Sequence, residues 1–257
     1  MSPTEVLPDP NRPETAQAAH FAVRSLLRGA NRAALGTTIA ADRGHGRCYV
    51  SLVAVATDFD ASPLLLLSSL SEHSRNIEGD PRVSLLFDGT APFVNPQQGP
   101  RVTVQGQVER SSDRSLLRRF LARHPAARPY ASFLDFAIFR VRVEQAHWIN
   151  GFAQATWLDG QFICPQQRTA EFRAAESDLV AGVETTGLAT QLANRVLRMR
   201  GKGWRMIGVD CDGCDLAHGD KVVRLAFTKP LEQPLDLVEH LHDRLRHATM
   251  RPRWQGG

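Results

Sequence analysis

Long apolar runs, cysteine and charge of one sign are all scarce in this chain. Its longest unbroken apolar stretch, Leu52 to Ala56, is far below the roughly 18 residues that a membrane helix requires, so no helical span is expected. The four cysteines, Cys48, Cys164, Cys211 and Cys214, follow no secreted framework, and a reducing cytosol would keep them as thiols. The opening MSPTEVLPDPNRPET has neither a basic start nor an apolar block and reads as a solvated arm, which makes the cytoplasm the expected location. Thirty-one basic against 27 acidic residues leave a formal charge of +4, with the signs interspersed except in pairs such as Arg118-Arg119. Nucleic acid asks for a denser basic face than this. A small anion stays compatible, because guanidinium forks suit phosphates and carboxylates. Hydrolase G-x-S-x-G, P-loop and dinucleotide glycine fingerprints are missing as well.

What is there is a chain of 257 residues, enough for one large domain or two ordinary ones, each able to bury its own core. Apolar residues at helical spacing (Ala18, Phe21, Ala22, Leu26) predict a helix over Ala16 to Arg28, closed by Gly29. Arg32 to Ile39, Arg47 to Asp58 and Pro63 to Ser68 alternate or run apolar between turn-rich segments and predict an antiparallel meander. Further strands are expected over Arg82 to Asp88, Arg101 to Ser111 and Phe136 to Ile149. Short helices are expected over Glu72 to Gly79 and over Ser112 to His124, with Asp113 near the start of the second. Strands with only isolated helices between them fit a closed or partly closed barrel better than a βαβ fold. Gly160 to Gln167 reads as turn, and the rhythm then changes. Thr169 to Leu197 is mostly helical, Trp204 to Asp210 and Lys221 to Thr228 are strands, and Leu235 to Thr249 is a closing amphipathic helix.

Residues 47 to 110 carry the strongest signal: YVSLVAVATD, LSSLSEHSRNI, DPRVSLLF and PRVTVQG occur in that order, followed by His124-Pro125 with Tyr130 and by NGFAQA at 150 to 155. In this order they resemble the FMN-binding split barrel of the pyridoxamine 5'-phosphate oxidase-like superfamily, and within it the haem-utilisation (HugZ-like) branch. The resemblance covers about residues 16 to 160. It implies an α+β chain made of a split β-barrel (antiparallel, FMN-binding type) followed by a small α/β domain. The boundaries are a flexible arm at 1–15, the barrel at 16–165 and the small domain at 166–257. It also implies a homodimer with FMN or haem bound as a small-molecule ligand, and as possible enzyme classes an FMN-dependent oxidoreductase or a haem-degrading enzyme. The alternative is a non-catalytic dimeric binding or regulatory module that has lost its cofactor.

Physical chemistry gives the SSLSEHSRNI corner a reading of its own. Hydroxyls, an imidazole, a guanidinium and an amide follow an apolar strand into a helix start, where free N–H groups and the positive dipole end favour an anion. Ser69, His73, Ser74, Arg75 and Asn76 are therefore the candidates for a flavin phosphate, and Arg101 for a place near the ring or substrate. The same residues also suit a polar N-cap beside a solvated arginine. The chain departs from the oxidase pattern: where the resemblance implies an arginine and a lysine over Tyr49 to Val55, it has Tyr, Ser and aliphatics, and Pro100-Arg101 stands for an Arg-Gln pair. Vitamin B6 phosphate oxidation is thus not expected.

The segment from Gly203 to Phe227 resembles the small domain fused behind such barrels in haem-utilisation proteins and in plant proteins that bind glutamyl-tRNA reductase. A helix bearing His-Met-Asn-x-Asp-His is implied there, but this chain reads AGVETTGLATQL, without histidine. Cys211 and Cys214 form C-x-x-C with only His218 near, too few ligands for zinc, and the run reads as a structural turn between strands. No metal site is expected. His247 on the last helix is a weak candidate for the axial imidazole that haem needs, and it equally suits a solvated helix face.

Overall fold

The computed structural model describes residues 13–40, 43, 46–151, 154–163 and 166–250. Most of the chain up to Asp159 forms one antiparallel sheet: β1 (Arg32–Thr38), β2 (Cys48–Ala54), β3 (Ala56–Thr57), β4 (Pro63–Ser68), β5 (Arg82–Asp88), β6 (Pro100–Arg110), β7 (Phe136–Asn150) and β8 (Ala155–Asp159). Its strand order is β2-β1-β5-β6-β7-β4-β3. The 15-residue β7 pairs along one edge first with β4, then with β8, so the sheet curls into the expected split barrel.

Alternation along these strands explains the curl. Ala33, Leu35, Val53, Val83, Leu85, Phe87, Val102, Val104, Val141, Ala146 and Trp148 turn inward against α1 (Pro13–Gly29), whose Val23 and Leu27 are fully buried. At Gln105/Gly106 the β6–β7 register slips by one residue. A Cβ on Gly106 would sit 2.1 Å from the Arg142 carbonyl oxygen, so only glycine lets β7 bulge there.

Several bounds differ from the sequence reading. The expected strand over Arg47 to Asp58 breaks at Val55, whose N–H donates to the Asn31 carbonyl while Ala56–Thr57 leaves to pair with β4. The stretch read as turn from Gly160 instead opens with the short helix α4 (Gly160–Ile163), anchored by fully buried Ile163. Helix α2 (Glu72–Gly79) falls where expected, and α3 (Arg114–Arg123) is capped by Asp113, whose carboxylate accepts from Ser115 N–H at 2.7 Å. Thr169 to Leu197 is mostly helical as expected, in three pieces: α5 (Gln166–Glu184), α6 (Leu188–Gln191), which follows Gly187 with φ 66°, and a π-turn at Leu192–Val196. β9 (Arg205–Asp210), β10 (Gly213–His218) and β11 (Lys221–Ala226) form a second antiparallel sheet, covered by α7 (Leu237–Met250) and α5. Its core is separate from the barrel's, yet it includes Phe59 from the β3–β4 loop.

Cys211 lies in the β9–β10 turn, as expected, but Cys214 belongs to a strand that the sequence hides. Asp210, Asp212 and Asp215 make that hairpin unpromising as a strand on propensity. Arginines from three other elements offset the cost. Asp212 accepts from Arg24 and Arg28 at 2.9 Å each, and Asp210 from Arg28 at 3.0 Å and Arg224 at 2.7 Å. Arg123 reaches Asp215 at 2.6 Å, and Arg119 binds Glu176 at 2.6 Å. Both cysteines are free and buried, and burial pushes the Cys211 thiol up to about 12, which leaves it unreactive at neutral pH. Among the described residues no cluster of His, Cys, Asp and Glu could hold a metal ion, and no helix is long and apolar enough to cross a membrane.

Removing Asp212 would strand the buried Arg24 guanidinium and leave Arg28 with the Asp210 carboxylate alone, so Asp212→Ala is expected to cost ~3–5 kcal/mol in urea unfolding, with a cost below ~1 kcal/mol contradicting this account. Burial pushes the Asp210 and Asp212 carboxyls up, but the guanidiniums of Arg224 and Arg28 around Asp210 and of Arg28 and Arg24 around Asp212 outweigh it and hold both well below the usual range. A depressed folded pKa stabilises above the unfolded value of about 3.9 and is lost as pH falls through the folded value, so Tm should drop steeply below about pH 4. A flat Tm between pH 5 and 3 would contradict the pairing.

Candidate functional site

Two regions of the barrel carry the polar and aromatic groups singled out by the sequence. The first is the corner where β4 runs into α2. Its hydroxyls are largely turned on internal partners: Ser68 Oγ donates to Asp135 at 2.5 Å, Ser71 Oγ donates to the Ser68 carbonyl at 2.7 Å, and buried Ser74 Oγ lies 2.9 Å from Ser71 Oγ. Asn76 is fully buried, donating to Thr37 Oγ1 at 3.1 Å and accepting from Arg43 at the same distance. The Asn76–Thr37 bond holds α2 on β1. Ser69 is exposed, and His73 is half-buried with Nδ1 3.2 Å from Ser51 Oγ. Burial lowers the His73 pKa, which favours a neutral ring.

Both of the corner's guanidiniums already share a carboxylate. Glu72 stands between two guanidiniums, 3.0 Å from Arg43 and 3.6 Å from the half-exposed Arg75. The first-turn N–H groups of α2 have no intrahelical acceptor. A phosphate arriving there would have to displace Glu72 from both arginines. Sequence reasoning missed Arg43, which no pattern ties to α2, and missed the neutralising role of Glu72.

Arg101 is not brought to this corner within one chain. It pairs across the sheet with Asp88, whereas Thr37, the partner of Asn76, lies beside Gly36 at the Ser84 end of β5, so about 13 Å of strand separates them. Its guanidinium folds onto the turn before β6, donating to the Gly99 carbonyl at 3.2 Å and to Gln97 Oε1 at 3.1 Å. His247 is remote in another sense: it is exposed on α7, bonded to the Asp243 carbonyl at 3.0 Å.

The second region is the outer face of the sheet. Strand pairing lines up Leu52, Ala34, Leu86, Thr103, His147 and Trp157 as one cross-strand row. Leu52 is 70% exposed and Trp157 56%, and Val50 beside Leu52 is 67% exposed. Exposed large apolar side chains aligned on a sheet face, rimmed by the polar row Ser84–Gln105–Gln145–Asp159, mark an interaction surface. At its far end the His147 and Trp157 rings stack, centroids 4.7 Å apart and planes 24° from parallel. Arg101 belongs to the next row, Asp88–Arg101–Ile149–Ala155, on the same face. Neither the row nor His147 was legible beforehand, because β8 was not foreseen and a register cannot be read from one strand alone. Of NGFAQA, Phe152 and Ala153 lie outside the described residues, as does Cys164.

Comparison with known proteins agrees with this architecture. The chloroplastic "Non-canonical heme oxygenase HOZ" of Arabidopsis thaliana is 29% identical over 162 residues, 62% of this chain and 47% of that protein. The chain thus spans about half the length of the curated relative it matches. A protein of unknown function from Agrobacterium tumefaciens str. C58 is 25% identical with a TM-score of 0.69, covering 94% of this chain and all of that one. A heme binding protein from Mycobacterium smegmatis, 20% identical with a TM-score of 0.53 over 91% of this chain and 98% of its own, shares the fold. The family model described as "CREG, beta-barrel" matches residues 13–162, the span from α1 to α4 that builds the curled sheet, and the chain therefore belongs to the CREG beta-barrel family.

Proposed function

We propose that the protein binds haem in a crevice between two copies of the chain, on the outer face of the barrel. The observation that carries this reading is the stacked His147–Trp157 pair, set in one row with the exposed Leu52 and Leu86. A porphyrin is a wide apolar plate with two carboxylates and a metal. The row offers aliphatic and indole surface for the plate, His147 an imidazole for the iron, and Arg101 on the next row a guanidinium for a carboxylate. A second copy would cover apolar surface that one chain leaves in water. Haem, when bound, supplies the iron chemistry, while the chain binds and orients it. The name of the Arabidopsis relative accords with haem as the ligand. Three free thiols, Cys48, Cys211 and Cys214, suit a reducing compartment such as the cytoplasm.

FMN is the second reading, favoured by the exposed Ser69 and the open first turn of α2, and weakened by Glu72 between Arg43 and Arg75. His73, Ser74 and Asn76 would then support the corner more than touch the phosphate.

Adding hemin to the purified protein should give a Soret band, and His147→Ala should weaken binding by about tenfold or more with little change in Tm. An unaltered hemin titration in that variant would remove His147 from the site. Leu52→Glu should shift the protein to a monomer in analytical ultracentrifugation and reduce haem affinity; a dimer unaffected by this charge would place the interface elsewhere. Glu72→Gln separates the two ligands: a gain of about tenfold in FMN affinity, with hemin binding unchanged, would favour the flavin reading.

A further inference from the structure

The C-terminal unit holds a cavity that the haem reading does not use. It measures about 470 Å³, and its walls include Arg195, Arg198, His240, Asp243, Arg244 and His247. That volume is within the range of small-molecule sites. Three guanidiniums face one carboxylate, and Asp243 is already engaged by Arg246 at 3.1 Å and His247 at 3.2 Å. Arg244 is steered by one N–H to the Ala226 carbonyl at 3.0 Å. Arg195 and Arg198 form no hydrogen bond or ion pair among the described residues. This sets them apart from Arg24, Arg28, Arg119, Arg123, Arg173 and Arg224, each of which meets a carboxylate.

The backbone holds these two arginines at a distorted point. Arg195 sits in the π-turn closed by Leu197 N–H to the Leu192 carbonyl at 3.1 Å. Arg198 then adopts φ 58°, a left-handed position that normally falls to glycine or asparagine. π-turns and strained non-glycine residues concentrate at functional sites. The surrounding sequence, Arg195 to Arg205, carries five cations and no acid. Across the cavity, His240 Nε2 is buried without a hydrogen-bond partner. Burial first, and then the Arg244 charge, lower the pKa of this ring, which favours its neutral form.

We infer that this cavity binds a small molecule bearing a phosphate ester or polyphosphate group. Oxygens of a phosphoryl group can accept from several guanidinium forks at once, and Thr228 and His240 add neutral polar contacts on the same wall. The pocket is half-open to solvent, and its volume matches a compact anion.

Pyrophosphate binding to the full chain without haem, by calorimetry and equilibrium dialysis, tests this independently of the barrel site. One saturable site per chain is expected, weakening with salt. Arg195→Gln and Arg198→Gly should each reduce affinity by about tenfold. Arg198→Gly also relieves the left-handed backbone, so it should keep or raise Tm and cannot be dismissed as unfolded. Lack of saturable pyrophosphate binding, or equal losses in Arg200→Gln/Lys202→Gln outside the cavity, would overturn the assignment. Tighter binding of a single-stranded oligonucleotide, lost in that outer pair, would overturn it in favour of a nucleic-acid surface.

Discussion

Asp212, a carboxylate with no exposed side-chain surface, accepts from two arginines on one turn of α1, and much of the molecule is organised around that contact. Arg24 and Arg28 are four residues apart and so share a helix face. Through them the first helix, whose other face packs into the barrel, is fixed to the β9–β10 hairpin 184 and 188 residues away. Arg28 also donates to the carbonyls of Asp58 and Phe59, at 3.1 and 2.6 Å. That draws the β3–β4 loop inward, so that Phe59 joins the C-terminal core while Arg119 stacks over its ring at 4.0 Å. Such pairs are weak as net stabilisers because desolvation offsets attraction, but each is costly to break singly. They act chiefly as registration, allowing one arrangement of the two sheets and penalising others.

The same registration bears on the barrel's outer face. α1 covers the inner surface, and its fixed position leaves the opposite surface of β2, β1, β5, β6, β7 and β8 as the one free to meet a ligand or a second chain. The bulge at Gly106 and the close approach of Gly160 to the Val143 carbonyl bend β7 where β8 begins to pair with it. Trp157 is thereby laid against His147. The site on that face is thus a product of register, with each member ordinary in its own strand.

This is also why parts of the molecule were legible and others were not. Strands such as Arg82–Asp88, and the helix Glu72–Gly79, follow from a local pattern that burial then repeats. DCDGCDL failed as a strand because its aspartates speak against one until α1 and β11 bring Arg24, Arg28 and Arg224 to them. Long-range ion pairs leave no periodic trace. The corner at Ser69 to Asn76 was legible as chemistry, since its residue types were all present, but the contribution of Glu72 came from Arg43, 29 residues away. The basic stretch from Arg195 to Arg205 was visible in the sequence and was masked by the modest net charge.

Arginine content alone therefore says little about anion binding in this chain; what matters is which guanidiniums are already spent on carboxylates. At the α2 corner Glu72 serves two arginines, and at the junction of the sheets Asp58, Asp210, Asp212, Asp215 and Glu176 serve Arg24, Arg28, Arg119, Arg123, Arg173 and Arg224. In both places an incoming anion competes with an internal one fixed within hydrogen-bonding or near-contact distance, and the fixed one has lost little freedom on pairing. Arg195 and Arg198 meet no such competitor, and the turn that carries them is distorted. Both side chains are exposed and neither is spent on a carboxylate, so a phosphate arriving there displaces no internal anion, which is the ground for setting the C-terminal cavity above the barrel corner as the anion site.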